Sequence, residues 1–396
     1  MEDIAWGTDE YLTDYQFYNR SEELEILYNL LNSSQYGSTP SILIMGPRGV
    51  GKTALIQKTI EQLKNEFLTV YINFSLNDYQ QDVEVTRIGF MKLIYQEIIK
   101  SCHEKGLKTI DIKINKMLKT HNITIDKILD YKNIPVPMPK LDDNYSKLAE
   151  FTMNLPQIIY EEYSDKIKGV LIFFDEFQIV KNIDGDLNNF LWYLRAKIQS
   201  QKNVAYTISG SMSVKDKLIE DIAGKNGAFG GRMLTIEVNP FSKETTKNYI
   251  NERITDLKFS EDGLNRFYNC TKGVPYYINI FAKLLPRNIE LTSQDVVDNF
   301  KKALPLLVSN SSNIWYGLTL QEKKIISTLA DKPLKRVEIA KKLNVTSGSL
   351  SRSLNNLLNK VIIEYSNNKY EITDSIFKYW VLNEQKKHEF YPFTPI

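Results

Sequence analysis

The run Gly46-Pro47-Arg48-Gly49-Val50-Gly51-Lys52-Thr53 fits G-x-x-x-x-G-K-[ST] at every position. Gly46, Gly49 and Gly51 let the backbone approach closely, so that N–H groups face phosphate oxygens, and Pro47, Arg48 and Val50 complete the loop. A helix beginning at Lys52 presents its positive end to the same anion. Lys52 reaches the terminal phosphates, and the Thr53 hydroxyl is of the type that coordinates Mg²⁺. The chemistry these residues suit is capture of a nucleoside triphosphate, expected to be ATP, together with Mg²⁺.

Val170-Leu-Ile-Phe-Phe-Asp-Glu176 supplies the other half of such a site. An apolar run of strand length delivers Asp175 at its C-terminal end, where parallel sheets bind ligands. Asp175 is placed to hold Mg²⁺, commonly through water. Glu176 is placed to accept a proton from an attacking water or to orient it. A carboxylate that activates water suits hydrolysis, whereas a small-molecule kinase must exclude water and present an acceptor.

The elements that must hold these residues follow from pattern. Ser21 to Leu31 is amphipathic, with Ser21 as expected N-cap. Ser41 to Met45 reads as a buried strand, Lys52 to Phe67 as a helix and Leu68 to Phe74 as the next strand, which makes a βαβ unit. Arg87 to Cys102 is a second helix. Lys105 to Lys140 reads as an insertion or hairpin, because Ile134-Pro-Val-Pro-Met-Pro139 cannot be helical. Tyr145 to Tyr163 is helical, with Pro156 as a point of interruption. Val170 to Phe174, Val204 to Ser209 and Leu234 to Val238 are the remaining strands, with a helix at Leu187 to Ser200. After Pro240 the pattern turns helical with no strands between: Ser242 to Thr255, Ser260 to Cys270, Pro275 to Leu285 and Thr292 to Val308. Thr292 and Asp295 form a capping box. Ser309 to Asn313 has linker composition.

Composition narrows the class. The 396 residues exceed one ordinary core and imply two or three domains. An apolar share of 42%, a charged share of 25% and a net charge of +2 describe a soluble globular chain with no overall bias toward nucleic acid. The acidic N-terminal segment lacks the form of a signal peptide, and no apolar run approaches the roughly 20 residues of a membrane helix. A cytoplasmic protein is expected, with no membrane association. Cys102 and Cys270 make no CxxC pair, and His103, His121 and His388 show no metal-ligand spacing.

With these motifs in place the chain resembles the archaeal ATPase family of the STAND class, among the AAA+-like P-loop NTPases, from about Phe17 to about Trp380. Phe17-Tyr-Asn-Arg20-Ser-Glu-Glu-Leu24 resembles the family's opening box, with Asn19 in place of a glycine; asparagine tolerates left-handed backbone angles. The resemblance implies that this box lies against adenine, with Arg20 as the contact. Tyr206-Thr-Ile-Ser-Gly-Ser211 resembles the strand that ends in a γ-phosphate sensor, and spacing leaves both Ser209 and Ser211 as candidates. Phe229-Gly-Gly-Arg232 and Asn239-Pro-Phe-Ser242 resemble the family's Gly-Arg and Pro-hydrophobic-Ser stretches. Arg232, with one glycine more than usual before it, is the implied catalytic arginine beside Lys52 and Glu176, acting within the chain or on a neighbour in a nucleotide-dependent self-association. Gly273-Val-Pro275 resembles the Gly-x-Pro of the STAND lid, which places Pro275 near the nucleotide.

Leu318 to Asp374 reads as a winged helix. Its helices are Thr319 to Ala330, Lys335 to Leu343 and Thr346 to Lys360, the last with Leu350, Leu354, Leu357 and Val361 on one face. Val361 to Tyr365 and Lys369 to Ile372 pair across Ser366-Asn-Asn368 as the wing. Ser349, Arg352, Ser353 and Asn356 lie on the opposite face of the third helix, where they could reach base edges or phosphates. Arg336, Lys341, Lys342, Arg352, Lys360 and Lys369 add local positive charge. Double-stranded DNA and a protein partner are equally weighted for this surface. Asp374 to Trp380 resembles the family's C-terminal helix, and Ile376, Phe377, Tyr379 and Trp380 are expected to pack.

The expected architecture is an α/β P-loop NTPase core with a parallel sheet and flanking helices (residues 1–240), a helical lid (241–308) and a C-terminal winged-helix domain (309–396). The expected activity is slow ATP hydrolysis coupled to a conformational switch, with ATP and ADP as ligands. Two other classes compete: a DNA-binding protein modulated by ATP, and an interaction scaffold that binds nucleotide without turnover.

Overall fold

A computed structural model of the chain describes residues 12–76, 86–107, 114, 125–131, 134–139, 145–212, 217–308 and 315–387, with the backbone alone described in 125–139. The first part alternates helix and strand: α1 (Ser21–Asn32), β1 (Ser41–Gly46), α2 (Lys52–Leu63), β2 (Leu68–Asn73), α3 (Arg87–Glu104), β3 (Ile125–Tyr131), β4 (Ile134–Pro139), α4 (Tyr145–Tyr163), β5 (Val170–Asp175), α5 (Leu187–Gln199), β6 (Val204–Ser211), α6 (Lys217–Ala223) and β7 (Leu234–Glu237).

Five of these strands form one parallel sheet in the order β2-β5-β6-β1-β7. Residues of β1, β5 and β6 are buried along their whole length, the pattern of interior strands covered on both faces. β2 alternates between buried and half-buried, as an edge strand should. Successive side chains feed opposite faces. On β5, Phe173 packs into one core and Phe174 into the other, and both are fully buried. Each such burial contributes ~1.5–3 kcal/mol. The register aligns the C-terminal ends of the strands. Gly46 stands opposite Ser211, Phe174 opposite Ile208 and Asn73 opposite Asp175, so these ends lie side by side along one edge of the sheet.

Several local expectations change. Arg20, not Ser21, occupies the N-cap of α1 and supplies no capping bond from its side chain, which is committed elsewhere. α4 runs unbroken through Pro156, which is buried in it. The proline-rich stretch is an antiparallel hairpin, β3 with β4. Alternate prolines at 135, 137 and 139 fit a strand with one N–H edge unpaired. The other readings between 108 and 124 lie outside the described residues, Ile114 excepted, as does the linker expected at 309–313.

The remainder is mostly helical: α7 (Lys243–Arg253), β8 (Lys258–Phe259), α8 (Glu261–Thr271), α9 (Pro275–Leu284), β9 (Glu290–Leu291) and α10 (Ser293–Leu307), then α11 (Leu320–Leu329), α12 (Arg336–Leu343), α13 (Ser351–Asn359), β10 (Ile363–Ser366), β11 (Lys369–Ile372) and α14 (Ser375–Lys387). The expectation of no strands between the helices of 242–308 fails at β8 and β9, a short parallel pair too brief for any periodicity to announce. The Thr292–Asp295 capping box forms, and a second one joins Thr319 to Glu322. β10 and β11 meet in an antiparallel hairpin whose turn residues Asn367 and Asn368 both have positive φ, 51° and 61°. That is the backbone a tight two-residue hairpin demands and asparagine tolerates. Leu334 bridges to Tyr370 beside it. Val361 does not continue the apolar face of α13, because its φ of 56° turns the chain out of the helix. Apolar side chains from Phe241 to Val381 form one buried cluster, joined for example by Phe300 and Tyr379 at 5.6 Å. Among the described residues no helix is long and apolar enough to cross a membrane.

Candidate nucleotide site

The phosphate loop leaves β1 and enters α2. Gly49 has φ 81°, and a Cβ there would lie 2.9 Å from Tyr276 Cβ and 3.1 Å from Val274 Cγ1. Glycine is therefore needed both for the angle and for the approach of α9. The Gly49 carbonyl accepts the Tyr276 N–H at 3.2 Å, tying the loop to α9 through the backbone. The Lys52 ammonium donates to the carbonyls of Gly46 (2.9 Å) and Pro47 (2.8 Å) and lies 3.5 Å from Ser211 Oγ. Burial pushes the Lys52 pKa down to about 8, opposed by the Glu176 and Asp175 carboxylates and deepened by Arg48. A phosphate entering the loop would compete with those carbonyls and favour the charged amine.

Asp175 is fully buried at the end of β5. Its Oδ2 accepts from Thr53 Oγ1 (2.7 Å) and from Tyr71 OH (2.9 Å). Its Oδ1 accepts from the Ser209 hydroxyl and from the Glu176 N–H (2.9 Å). Bonds from three elements fix the carboxylate beside Thr53. One hydroxyl and one carboxylate, both hard oxygen donors beside a phosphate loop, fit Mg²⁺, which takes few protein ligands and fills its octahedron with phosphate and water. No cluster of three or more His, Cys, Asp or Glu suited to a metal occurs among the described residues.

Glu176 follows in the left-handed region, φ 55°, and lines the cleft. Of the two sensor candidates, Ser209 is turned to Asp175, while Ser211 faces the cleft near Lys52. Two residues apart on β6, they share a face of the sheet, and Ser211 stands at the strand end while Ser209 lies deeper and fully buried.

The cleft, about 260 Å³, runs from this phosphate end to an aromatic end formed by Phe17, Tyr18, Phe241 and Tyr249. Tyr18 meets Tyr249 edge-on at 5.1 Å and Phe241 at 6.1 Å. Asn19 does take the left-handed angle, φ 50°. Arg20 lines the cleft and lies over the Phe241 ring at 5.1 Å, but its hydrogen bonds go to Glu23 (3.1 Å) and to the carbonyls of Val50 (3.3 Å) and Asn239 (2.5 Å). It thereby ties the opening box to the phosphate loop and to the exit of β7. Pro275 occupies the first turn of α9 and lines the cleft with Tyr276 and Asn279. Arg232 is exposed and does not line the cleft. The structure thus gathers the phosphate-loop residues with Asp175, Glu176, Ser211, Arg20 and Pro275, and leaves Arg232 outside.

Sequence reasoning did not single out Tyr71, Gln178, Tyr249, Tyr276 or Asn279. Gln178 stands two residues after Glu176 and Tyr276 one after Pro275, so proximity to a motif was the available signal. Nothing local marks Tyr71 or Tyr249, which the sheet order and helix packing bring in.

A model of the ATPase domain predominantly from Archaea matches residues 17–281. The chain belongs to that family, and it is an ATP-binding protein of an archaeal ATPase family. An uncharacterized ATP-binding protein of Methanocaldococcus jannaschii is 23% identical over 334 residues, covering 81% of this chain and 83% of that one. Among solved structures, a Walker-type ATPase of Pyrococcus abyssi superposes with TM-score 0.61 at 17% identity, covering 95% of this chain and 99% of that one. The Aeropyrum pernix Orc1 protein in complex with DNA superposes with TM-score 0.50 at 13% identity, covering 95% of each. At these identities the structural likeness concerns the fold.

Proposed function

We propose that this chain hydrolyses ATP slowly with Mg²⁺ and uses the nucleotide state as a conformational switch, as a regulatory ATPase of the STAND type. One observation carries the reading: Lys52, the Thr53–Asp175 pair, Ser211 and Glu176 converge at one end of a single cleft whose other end is aromatic. Bound there, Mg²⁺ would neutralise phosphate charge as it develops. Thr53 and Asp175 hold the position for that ion. Lys52 and the loop N–H groups orient the terminal phosphates, and Ser211 senses them. Glu176 accepts the proton of the attacking water. The backbone bond from Tyr276 to Gly49 supports coupling to the helices after Phe241, which serve as lid, because any shift of the loop on hydrolysis acts on α9 directly. Arg232, exposed and outside the cleft, suits action on a neighbouring copy in a nucleotide-dependent assembly. The proposed boundaries remain 1–240, 241–308 and 309–396, in a cytoplasmic protein.

Glu176→Gln tests the chemistry. The amide keeps the size and cannot take the proton, so fluorescent-ATP affinity should persist while phosphate release falls about a hundredfold or more. Parental turnover in that variant would remove Glu176 from the reaction.

A second reading has a specific observation behind it. We read the three helices and hairpin after Trp315 as a winged helix. Arg352 and Asn356 are exposed along its third helix and Ser349 in the turn before it, and a solved structure with a related fold is one in complex with DNA. DNA binding modulated by ATP is the corresponding proposal, with a protein partner as its competitor.

A further inference from the structure

We propose that Gln178 is the positioning residue for Glu176, an inference that rests on Glu176 being the water-activating carboxylate. Gln178 lies in the short 3₁₀ segment Phe177–Asn182 that follows β5. Its side-chain Nε2 donates to Glu176 Oε2, and its Oε1 accepts the Ser211 N–H at 3.0 Å. A primary amide combines both functions: a carbonyl oxygen for the N–H and an NH₂ for the carboxylate. The fold makes room for it. A Cβ on residue 210 would lie 2.6 Å from Gln178 Oε1, so Gly210 leaves vacant the space that the amide occupies.

The need for such a tie comes from the backbone. Glu176 occupies a left-handed angle of 55° immediately after the strand, outside the regular ladder that orients side chains on β5. Such an angle is uncommon for a residue with a side chain and requires its surroundings to hold it. The Asp175 carboxylate fixes the Glu176 N–H, and Gln178 fixes one carboxylate oxygen. Among the described residues no protein donor binds Glu176 Oε1, which remains the oxygen able to receive a proton. A base oriented by a third group through its second polar atom is the general logic of activated water and nucleophiles. The same amide holds the backbone of Ser211, whose hydroxyl lies 3.5 Å from the Lys52 ammonium. Gln178 therefore links the residue that faces the phosphates to the residue that activates water. A displacement of Ser211 by phosphate would be passed to the Glu176 carboxylate.

The test is steady-state ATP turnover, with ATP affinity and melting temperature measured alongside, for Gln178→Glu, Gln178→Met, Glu176→Gln and the double variant Glu176→Gln/Gln178→Met. Gln178→Glu can still accept the Ser211 N–H and cannot donate to Glu176. Its kcat should fall about tenfold or more, with KM and affinity for a fluorescent ATP analogue within about twofold of the parent. Gln178→Met, neutral and similar in volume, should show the same loss, and it carries the kcat test if the charged variant fails to fold. In the Glu176→Gln background, Gln178→Met should leave the residual turnover unchanged. Parental kcat in Gln178→Glu overturns the proposal. So does a loss from Gln178→Met that is equally large with and without Glu176, since the residue would then act elsewhere. Parental turnover in Glu176→Gln alone is a separate outcome: it removes the assignment of Glu176, and this inference with it.

Discussion

Lys52 carries a distinct pH dependence, because its charge sits inside the protein. Its folded pKa is depressed from the ordinary 10.5 to about 8, with burial as the main cause. Below about pH 8 the folded and unfolded chains both hold the proton, and folding bears the cost of burying it. Between about 8 and 10.5 the unfolded chain keeps the proton while the folded chain releases it, so this group's contribution to stability improves as pH rises through that window. Ligand binding has the opposite dependence. Phosphates favour the ammonium, so ATP affinity should fall roughly tenfold per pH unit above about 8, with uptake of close to one proton at pH 9 and almost none at pH 7. Calorimetric titration in two buffers of different ionisation enthalpy measures that uptake, and equal values at both pH values would count against the buried amine. Lys52→Ala should weaken ATP binding roughly ten- to hundredfold, the worth of charge-assisted bonds to phosphate. A folded variant of unchanged affinity would contradict the site.

At the scale of elements, the telling contact is the phosphate loop against α9. Pro275 begins that helix with its φ already suited to the first turn and with no N–H to lose. The next residue, Tyr276, gives its N–H to Gly49. Gly49→Ala would force a Cβ to within 2.9 Å of the Tyr276 side chain at a backbone angle alanine resists. We expect a loss of roughly 1–3 kcal/mol in stability, read from thermal or denaturant unfolding, together with weaker ATP binding. If loop and helix are coupled, ATP should raise the melting temperature of the variant less than that of the parent. An equal increment in both would separate the loop from α9. Further along, Tyr277 donates to Asp374, whose carboxylate receives the N–H groups of Ile376 (2.8 Å) and Phe377 (3.1 Å) at the start of α14. A path of packed and bonded groups thus leads from the loop toward the C-terminal unit.

For the whole molecule, the open question of partner is decided on the surface of α13. Arg352 is exposed there, but its neighbour Ser353 is not, being buried and bonded to Gln321 at 2.9 Å. Arg336 is likewise committed, to the Ser347 carbonyl at 2.7 Å and to Ser351. The face available to DNA is therefore narrower than periodicity implies: Arg352 and Asn356 remain, whereas Ser349 lies before the helix and gives its hydroxyl to the Thr346 carbonyl at 2.8 Å. If DNA is the partner, Arg352→Ala should weaken binding and lower the salt slope by about one for a phosphate contact. Stability should move by no more than about 0.5 kcal/mol, and turnover without DNA should not change. Absence of any DNA affinity in the parent at low salt, with ATP present, would assign the surface to a protein.

The sequence by itself determined the phosphate loop, the Asp175–Glu176 strand end and the alternation of strands and helices around them. Those features are local: a glycine spacing, an uninterrupted apolar run and a capping box each act within a few residues. It could also anticipate that Asn19 would turn left-handed, since that is a property of one side chain. Tertiary structure alone decided what lies far apart in the chain. The sheet order sets Tyr71 on β2 beside Asp175 on β5, and the parallel register sets Ser211 opposite Gly46. Packing turned Ser209 to Asp175 and Ser211 to the cleft, a choice that spacing left open. It also buried Ser353, where a helical wheel shows only a polar face, because a hydroxyl can be satisfied by a neighbouring helix. The aromatic end of the cleft joins Phe17 and Tyr18 to Phe241 and Tyr249 across more than half the chain. No local pattern encodes that meeting, because its cause is the burial of shared apolar surface once the whole chain has folded.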